Sequence, residues 1–368
     1  MAYKPSSDKY LLSVVGFLTV LGLLMVYSAS SVAAVNDHGD SYYFFLRQLG
    51  VAGFGFLLLL ALMHVDYHFF MKPKVLAVIV VLMAAALVIV LFQPAVKGAH
   101  RWIIIKGISI QPSEFAKPVV LIFVAWFLHT YGKVLNRPAC IAVICAAIVL
   151  FAGLIGIEPD LGQALTLCLI AAVLLLMAGL AWRYVAFAFI CAIPAFLLFV
   201  YSSDYRRRRV EVFLNPENSS SDAIYQIKQS LIAVGSGGFS GLGLGDSKQK
   251  LFFLPERDTD FIFAIICEEL GFIGAVLVIA AFLFFFYRGM KIAINSQDKF
   301  GFYLAAGITL LITLQGLISI SMVLGMLPTK GIALPFISRG GSSLLMNLAA
   351  TGILLNMSYQ NKLMETVE

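Results

Sequence analysis

Charge is scarce in this chain. Asp, Glu, Lys and Arg make up 12% of its 368 residues, against about 25% in an average soluble domain, while hydrophobic residues reach 61%. A globular core of ordinary size cannot hide that much apolar surface. The composition therefore excludes a water-soluble enzyme and reads as an all-α polytopic membrane protein. Cysteine is sparse as well: Cys140, Cys145, Cys168, Cys191 and Cys267 all fall in apolar stretches. An odd number so placed excludes a disulfide framework and a metal site, leaving small buried hydrophobes.

Other signals are missing. The glycines of "VGSGGFSGLGLGD" end in Gly245-Asp246-Ser247 where a phosphate loop needs Gly-Lys-Ser/Thr, and no strand precedes them. They read instead as tight turns where backbone lies close to the bilayer or to a bulky substrate. No cofactor is expected, and no cluster has metal-ligand spacing. There is no internal repeat and no cleavable signal peptide, because the first apolar run, from Tyr10 to about Val35, is too long for one. The net charge of +6 belongs to Lys and Arg that flank membrane spans and face anionic headgroups, not to nucleic-acid binding.

What is present is a series of apolar windows near the ~20 residues that cross the hydrocarbon as a helix. Ten are expected, at roughly 10–35, 44–65, 75–96, 114–130, 139–157, 161–181, 184–201, 261–287, 301–326 and 335–358. Lys4, Lys9, Lys72, Lys74, Lys133, Arg137, Arg183, Arg288, Lys291 and Lys299 then share one face, which the positive-inside rule makes cytoplasmic together with both termini. Lys97, Arg101 and Lys106 depart from that rule on the outer face, pointing to an anionic ligand there or to snorkelling at helix ends. Residues 202–260 form one long outward loop within a single membrane domain, 1–368. In it, "AIYQIKQSLIAV" has the spacing of a helix lying on the membrane surface. The run Arg206–Arg209 reads first as a headgroup contact, second as a contact to a lipid-linked phosphate or an acidic partner.

Carboxylates crowd the point where that loop meets the next span, in "FFLPERDTDFIFAIICEELG". Asp260 reads two ways: as a helix cap, a role Thr259 fills equally well, or as a partly desolvated general base at the mouth of a membrane cavity. Glu268 and Glu269 lie deeper, where an acid costs about 2.5–3.5 kcal/mol or more unless paired. Their expected partner is Lys117 of "QPSEFAKPVV", with Glu114 one turn before it completing an ion-pair network. "GIEPDLGQAL" adds Glu158 and Asp160, expected as structural acids. "LPTKGIALPFISRGGSS" adds Lys330, Ser338, Arg339 and a glycine-serine turn on the same face as Asp260.

These motifs, in this order and over nearly the whole chain, resemble the FtsW/RodA family of bacterial cell-wall proteins. "LPERDTDFIFAIICEELGFIG", "RWIIIKGISIQPSEFAKP", "EPDLGQAL", "YQIKQSLIAVGSGGFSGLGLG" and "LPTKGIALPFISRGGSS" carry the likeness. The resemblance implies a glycosyltransferase of the bacterial inner membrane with an outward-facing site. It would polymerise lipid II, a disaccharide-pentapeptide on undecaprenyl diphosphate. It also implies partnership with a class B penicillin-binding protein and with other division-complex membrane proteins. The family's essential acid falls on Asp260, and its Glu and Lys fall on Glu114 and Lys117. The expected substrate-binding set is Lys117, Glu114, Arg101, Gln111, Ser113, Arg257, Lys330, Ser338, Arg339, Ser342 and Ser343. Need for a divalent cation stays open, because a metal held by diphosphate and one carboxylate leaves little trace. "GLGDSKQK" and "LPTKG" resemble the division branch, whereas "LPER" is frequent in the elongation branch. Two positions depart from the family pattern: Asp258 stands where His is common, and Arg339 where Tyr is common. Asp258 would then sit beside Asp260 as a second carboxylate, and Arg339 would offer a phosphate ligand. A lipid flippase and a noncatalytic scaffold are the competing readings.

Overall fold

The computed structural model describes residues 7–94, 99–105, 108–187, 190, 194, 201, 222–328 and 331–365. Its helices are α1 (Lys9–His38), α2 (Tyr43–Met63), α3 (Pro73–Val90), α4 (Pro112–Tyr131), α5 (Pro138–Ile157), α6 (Leu161–Met177), α7 (Asp222–Ser236), α8 (Ile262–Ile294), α9 (Lys299–Val323) and α10 (Gly341–Glu365). A two-stranded hairpin, β1 (Ile103–Ile105) against β2 (Ile108–Ile110), precedes α4 and was not expected.

Local chemistry sets the helix ends. Asp8 accepts from Leu11 N at 3.0 Å and Asp298 from Gly301 N at 2.8 Å, each satisfying an orphan donor of a first turn. Proline opens α3, α4 and α5, where its missing N–H costs nothing. Gly39 closes α1 in the left-handed region.

Among the described residues, seven helices are long and apolar enough to cross a membrane: α1 to α5, α8 and α9. The chain is a multi-pass membrane protein. Three of the ten expected windows stand differently. The sixth gives only the 17-residue α6. The seventh, 184–201, lies mostly outside the described residues, as do Lys97, Lys106, Arg206–Arg209 and Lys330. The tenth begins at Gly341, not 335, because 331–340 is spent on an irregular segment that matters below.

Helix α9 is the axis of the bundle, with 72% of its apolar window buried, and α4 follows at 56%; α3, at 17%, faces outward. Helix α9 packs against α4, α6 and α8, α2 runs along α10, and α1 fills the angle between α2 and α8. Helix α7 forms where the apolar spacing predicts it, but it does more than lie on a surface. Ile224, Ser230 and Ala233 are buried where it meets α8 and α9, and Ser230 donates to the Val323 carbonyl at 2.7 Å.

Beyond α7 the chain turns back into the bundle. Helix α8 breaks at Gly271 (φ 65°), and the loop after α7 occupies the gap. Leu242 N and Gly243 N donate to the Glu268 and Glu269 carbonyls at 3.0 and 3.1 Å. Phe272 N and Ile273 N donate back to the Gly238 and Phe239 carbonyls at 3.0 and 3.3 Å. A Cβ at Gly241 (φ 83°) would overlap the Glu269 carbonyl, and one at Gly271 would overlap Gly241 N. Gly237 and Gly241 of this stretch are thus needed for contact with α8 itself, a neighbour that the expectation of bilayer or substrate did not include.

Candidate active site

Two clusters hold most of the expected site residues. The first surrounds Asp260, partly exposed near the end of the 254–261 turns, two residues before α8. The residue at the helix cap position is Phe261. This corrects the capping alternative for Thr259: Glu256, with φ 53°, folds the chain so that the Thr259 hydroxyl returns to the Glu256 carbonyl at 3.2 Å. Gly331 lies against Asp260, since a Cβ there would stand 3.2 Å from Asp260 Oδ2.

The residues just before Asp260 are held by the segment ahead of α10. Ser338 Oγ donates to the Thr259 carbonyl at 2.6 Å, and Arg339 N donates to the Asp258 carbonyl at 2.9 Å. Arg339 Nε lies 2.9 Å from Asp258 Oδ2, and its guanidinium sits over the Phe44 ring of α2 at 4.0 Å. The charges of Asp258 and Arg339 are therefore directed at each other, so a phosphate at Arg339 would share its guanidinium with Asp258. Arg257 donates to the Ala29 carbonyl at 3.0 Å and lies over the Phe252 ring, tying the same turns to α1.

The second cluster lies between α4, α6 and α9. Lys117 is 0% exposed, and its ammonium donates to Glu114 Oε2 at 2.9 Å, Gln163 Oε1 at 2.7 Å and Gln315 Oε1 at 2.9 Å. Three donors meet three acceptors, so Lys117 meets no ligand in this conformation. Glu114 also accepts from Gln163 Nε2 at 2.5 Å. Gln111 N donates to Ser342 Oγ at 2.9 Å, and its side chain donates to Asp160 Oδ2 at 3.2 Å. Ser343 accepts from Asn347 Nδ2 at 3.3 Å, while the buried Ser113 hydroxyl has no hydrogen-bond partner among the described residues.

Arg101 spans the mouth of this cluster, donating from Nε to the Glu158 carbonyl at 3.1 Å and from Nη2 to the Pro159 carbonyl, with Asp160 at 3.8 Å. Glu158 is fully buried, and neither carboxyl oxygen has a hydrogen-bond partner among the described residues. Burial pushes its carboxyl up to about 8, Asp160 adding to the rise and Arg101 opposing it. Burial raises Asp160 too, against the pull of Arg101.

Glu268 and Glu269 join neither cluster. Glu268 accepts from Ser247 Oγ at 2.5 Å and from Lys248 N and Gln249 N at 3.0 and 3.3 Å. Glu269 accepts from Ser28 at 2.6 Å and from Lys250 Nζ at 3.0 Å. The expected partnership with Lys117 is corrected: the returning loop brings its own cation and hydroxyl, and Lys117 is already saturated by α4, α6 and α9.

Sequence reasoning missed Gln163 and Gln315, the neutral groups completing the shell of Lys117. Gln315, a polar amide in the apolar α9, was the available signal. It also links the clusters, because its Nε2 donates to the Ala333 carbonyl at 3.2 Å in the segment that carries Gly331, Ser338 and Arg339. Among the described residues, no group of three or more His, Cys, Asp or Glu could hold a metal ion.

The comparisons with known proteins agree with this architecture. A family model described as "Cell cycle protein" (FtsW, RodA, SpoVE) matches residues 8–363. The chain is 40% identical to the "Probable peptidoglycan glycosyltransferase FtsW" of Geobacter sp. (strain M18), over 95% of this chain and 96% of that one. It is 40% identical to the "Stage V sporulation protein E" of Bacillus subtilis (strain 168), over 98% and 99%. In fold it is similar to a chain from a peptidoglycan synthase complex that coordinates polymerization and crosslinking, with TM-score 0.81, 24% identity and coverage of 96% and 98%. The RodA of Thermus thermophilus superposes with TM-score 0.71 at 24% identity, covering 96% of each chain. The chain belongs to the FtsW/RodA/SpoVE family of cell cycle proteins.

Proposed function

We propose that this protein is a peptidoglycan glycosyltransferase that polymerises lipid II for the division wall, with Asp260 as its general base. The observation that carries the reading is the likeness, at 40% identity over nearly the full chain, to a relative named for that activity. The Asp260 segment supports it chemically: it carries a partly exposed carboxylate beside Gly331, on turns anchored to the segment ahead of α10 and next to the start of a long apolar helix.

In this reading Asp260 takes the proton from the acceptor sugar hydroxyl as that oxygen attacks the anomeric carbon of the donor. The bond to the undecaprenyl diphosphate breaks in the same displacement, with inversion and no glycosyl-enzyme intermediate. Charge builds on the departing diphosphate, and cations facing it lower the barrier. Arg101 and Lys330 are the candidate cations; Arg101 donates to the Glu158 and Pro159 carbonyls with Asp160 at 3.8 Å, and would leave them to face the diphosphate. Lys117 acts from behind, holding Glu114, Gln163 and Gln315 in one arrangement. Both termini are cytoplasmic and the site faces outward, where a class B penicillin-binding protein crosslinks the product.

The test is incubation of purified lipid II with the protein co-purified with its penicillin-binding partner, products being resolved as glycan ladders. Polymer that survives inactivation of the partner's transpeptidase is the expected result. Transport of lipid II across vesicles without polymer would replace this reading with a flippase.

A further inference from the structure

Asp260 lies ahead of the first residue of α8, so the contacts that fix the two residues before it help to set its position. The Asp258 and Thr259 carbonyls both accept hydrogen bonds, from Arg339 N at 2.9 Å and Ser338 Oγ at 2.6 Å. The same two donor residues are anchored to the first turns of α2. Gln48 Nε2 donates to the Ser338 carbonyl at 3.2 Å, and the Arg339 guanidinium lies over Phe44 at 4.0 Å. Asp258 and Arg339 close this arrangement with a side-chain ion pair at 2.9 Å, their side chains 13% and 31% exposed. Asp258 and Arg339 so held share a backbone bond and a charge-assisted bond, and Arg339 also lies on a ring face, more constraint than an exposed ion pair has.

We propose that Asp258 and Arg339 are a positioning pair for Asp260, with Phe44 and Gln48 of α2 as its footing. The inference rests on the reading of Asp260 as the general base. Neither member touches substrate; the pair fixes the direction of the Asp260 carboxylate, and α2 is thereby coupled to the chemistry. A base displaced by a fraction of an ångström loses rate while the substrate still binds, so the pair acts on kcat and leaves KM alone. Arg339 as a substrate ligand would behave in the opposite way.

The experiment measures kcat and KM for lipid II polymerisation by the complex with the penicillin-binding partner. The variants are Asp258→Asn, Arg339→Gln, their double combination and Phe44→Leu, with a thermal midpoint recorded for each. The expected result is a fall in kcat of about tenfold in each single variant of the pair, the scale of coupling met within one ion-pair network. KM and the midpoint stay near wild type. The double variant, whose amide pair remakes a neutral hydrogen bond, loses less than the product of the two single losses. Phe44→Leu, which keeps both charges, gives a smaller fall in kcat. Arg339→Gln with raised KM and unchanged kcat, or single losses that multiply in the double variant, would overturn the pair while leaving the activity standing. A wild-type complex that makes no glycan would remove the functional reading and the pair's role with it.

Discussion

Lys250 carries its ammonium into the bundle and sets it 3.0 Å from Glu269 Oε1, at the break in α8. The Gly245 carbonyl and the Ser28 hydroxyl complete its shell, and Ser28 in turn donates to Glu269. An acid inside an apolar span is tolerable only because a loop from outside the span delivers its counter-charge. Lys250→Met leaves Glu269 charged and buried, at a cost on the order of 3–5 kcal/mol. We expect a much lower thermal midpoint in detergent, and partial recovery in Lys250→Met/Glu269→Gln. Equal midpoints for Lys250→Met and wild type would show that the pair bears no load.

That contact also marks the limit of what the sequence discloses. Apolar windows placed the seven long spans, because bilayer thickness fixes helix length, but α3 ends at Val90 instead of 96 and α8 runs on to Ile294 instead of 287. Asp260 stood out by its place at the end of a loop, and Glu114 next to Lys117 by helical spacing. Partners across the bundle were not legible. Lys117 was the only intramembrane cation in view, so it was assigned to Glu268 and Glu269; hydropathy does not show that a polar loop folds inward to supply Lys250. Gln163 and Gln315 carry no charge and drew no notice. Asp258 and Arg339 were each visible as departures from the family pattern, but only the fold brings them together.

The loop enters the α8 break through glycine backbone. Gly241→Ala places a methyl group on the Glu269 carbonyl at a left-handed φ and should abolish recovery of monodisperse protein. Gly235→Ala, inside α7 with open space around it, is the control and should be neutral or stabilising by up to about 1 kcal/mol. Size-exclusion profiles of the two variants check this.

Gln315 joins Lys117 to the segment beside Asp260. Gln315→Leu removes an acceptor from the ammonium and a donor from the Ala333 carbonyl, costing about 1–3 kcal/mol in stability. The freed segment should slow glycan synthesis by roughly ten- to a hundredfold, the scale of a small displacement at a catalytic group. Loss of stability with full polymerase activity would confine Gln315 to a structural role.

Glu158 gives stability a pH dependence of known sign. Its carboxyl sits near 8 in the fold against 4.5 when solvated. The unfolded chain therefore releases this proton first, and the contribution of Glu158 to stability falls as pH rises from about 4.5 to 8. Glu158→Gln should raise the thermal midpoint at pH 8 and leave it unchanged near pH 4.5. A midpoint gain independent of pH would contradict a buried, protonated acid.

The central claim is that Asp260 is the base, and Asp260→Asn tests it most directly because shape is kept while proton affinity is removed. Glycan synthesis from lipid II by the complex with the penicillin-binding partner should fall by about 10²- to 10⁴-fold, with lipid II binding and complex formation intact. Undiminished polymer from Asp260→Asn would contradict the account.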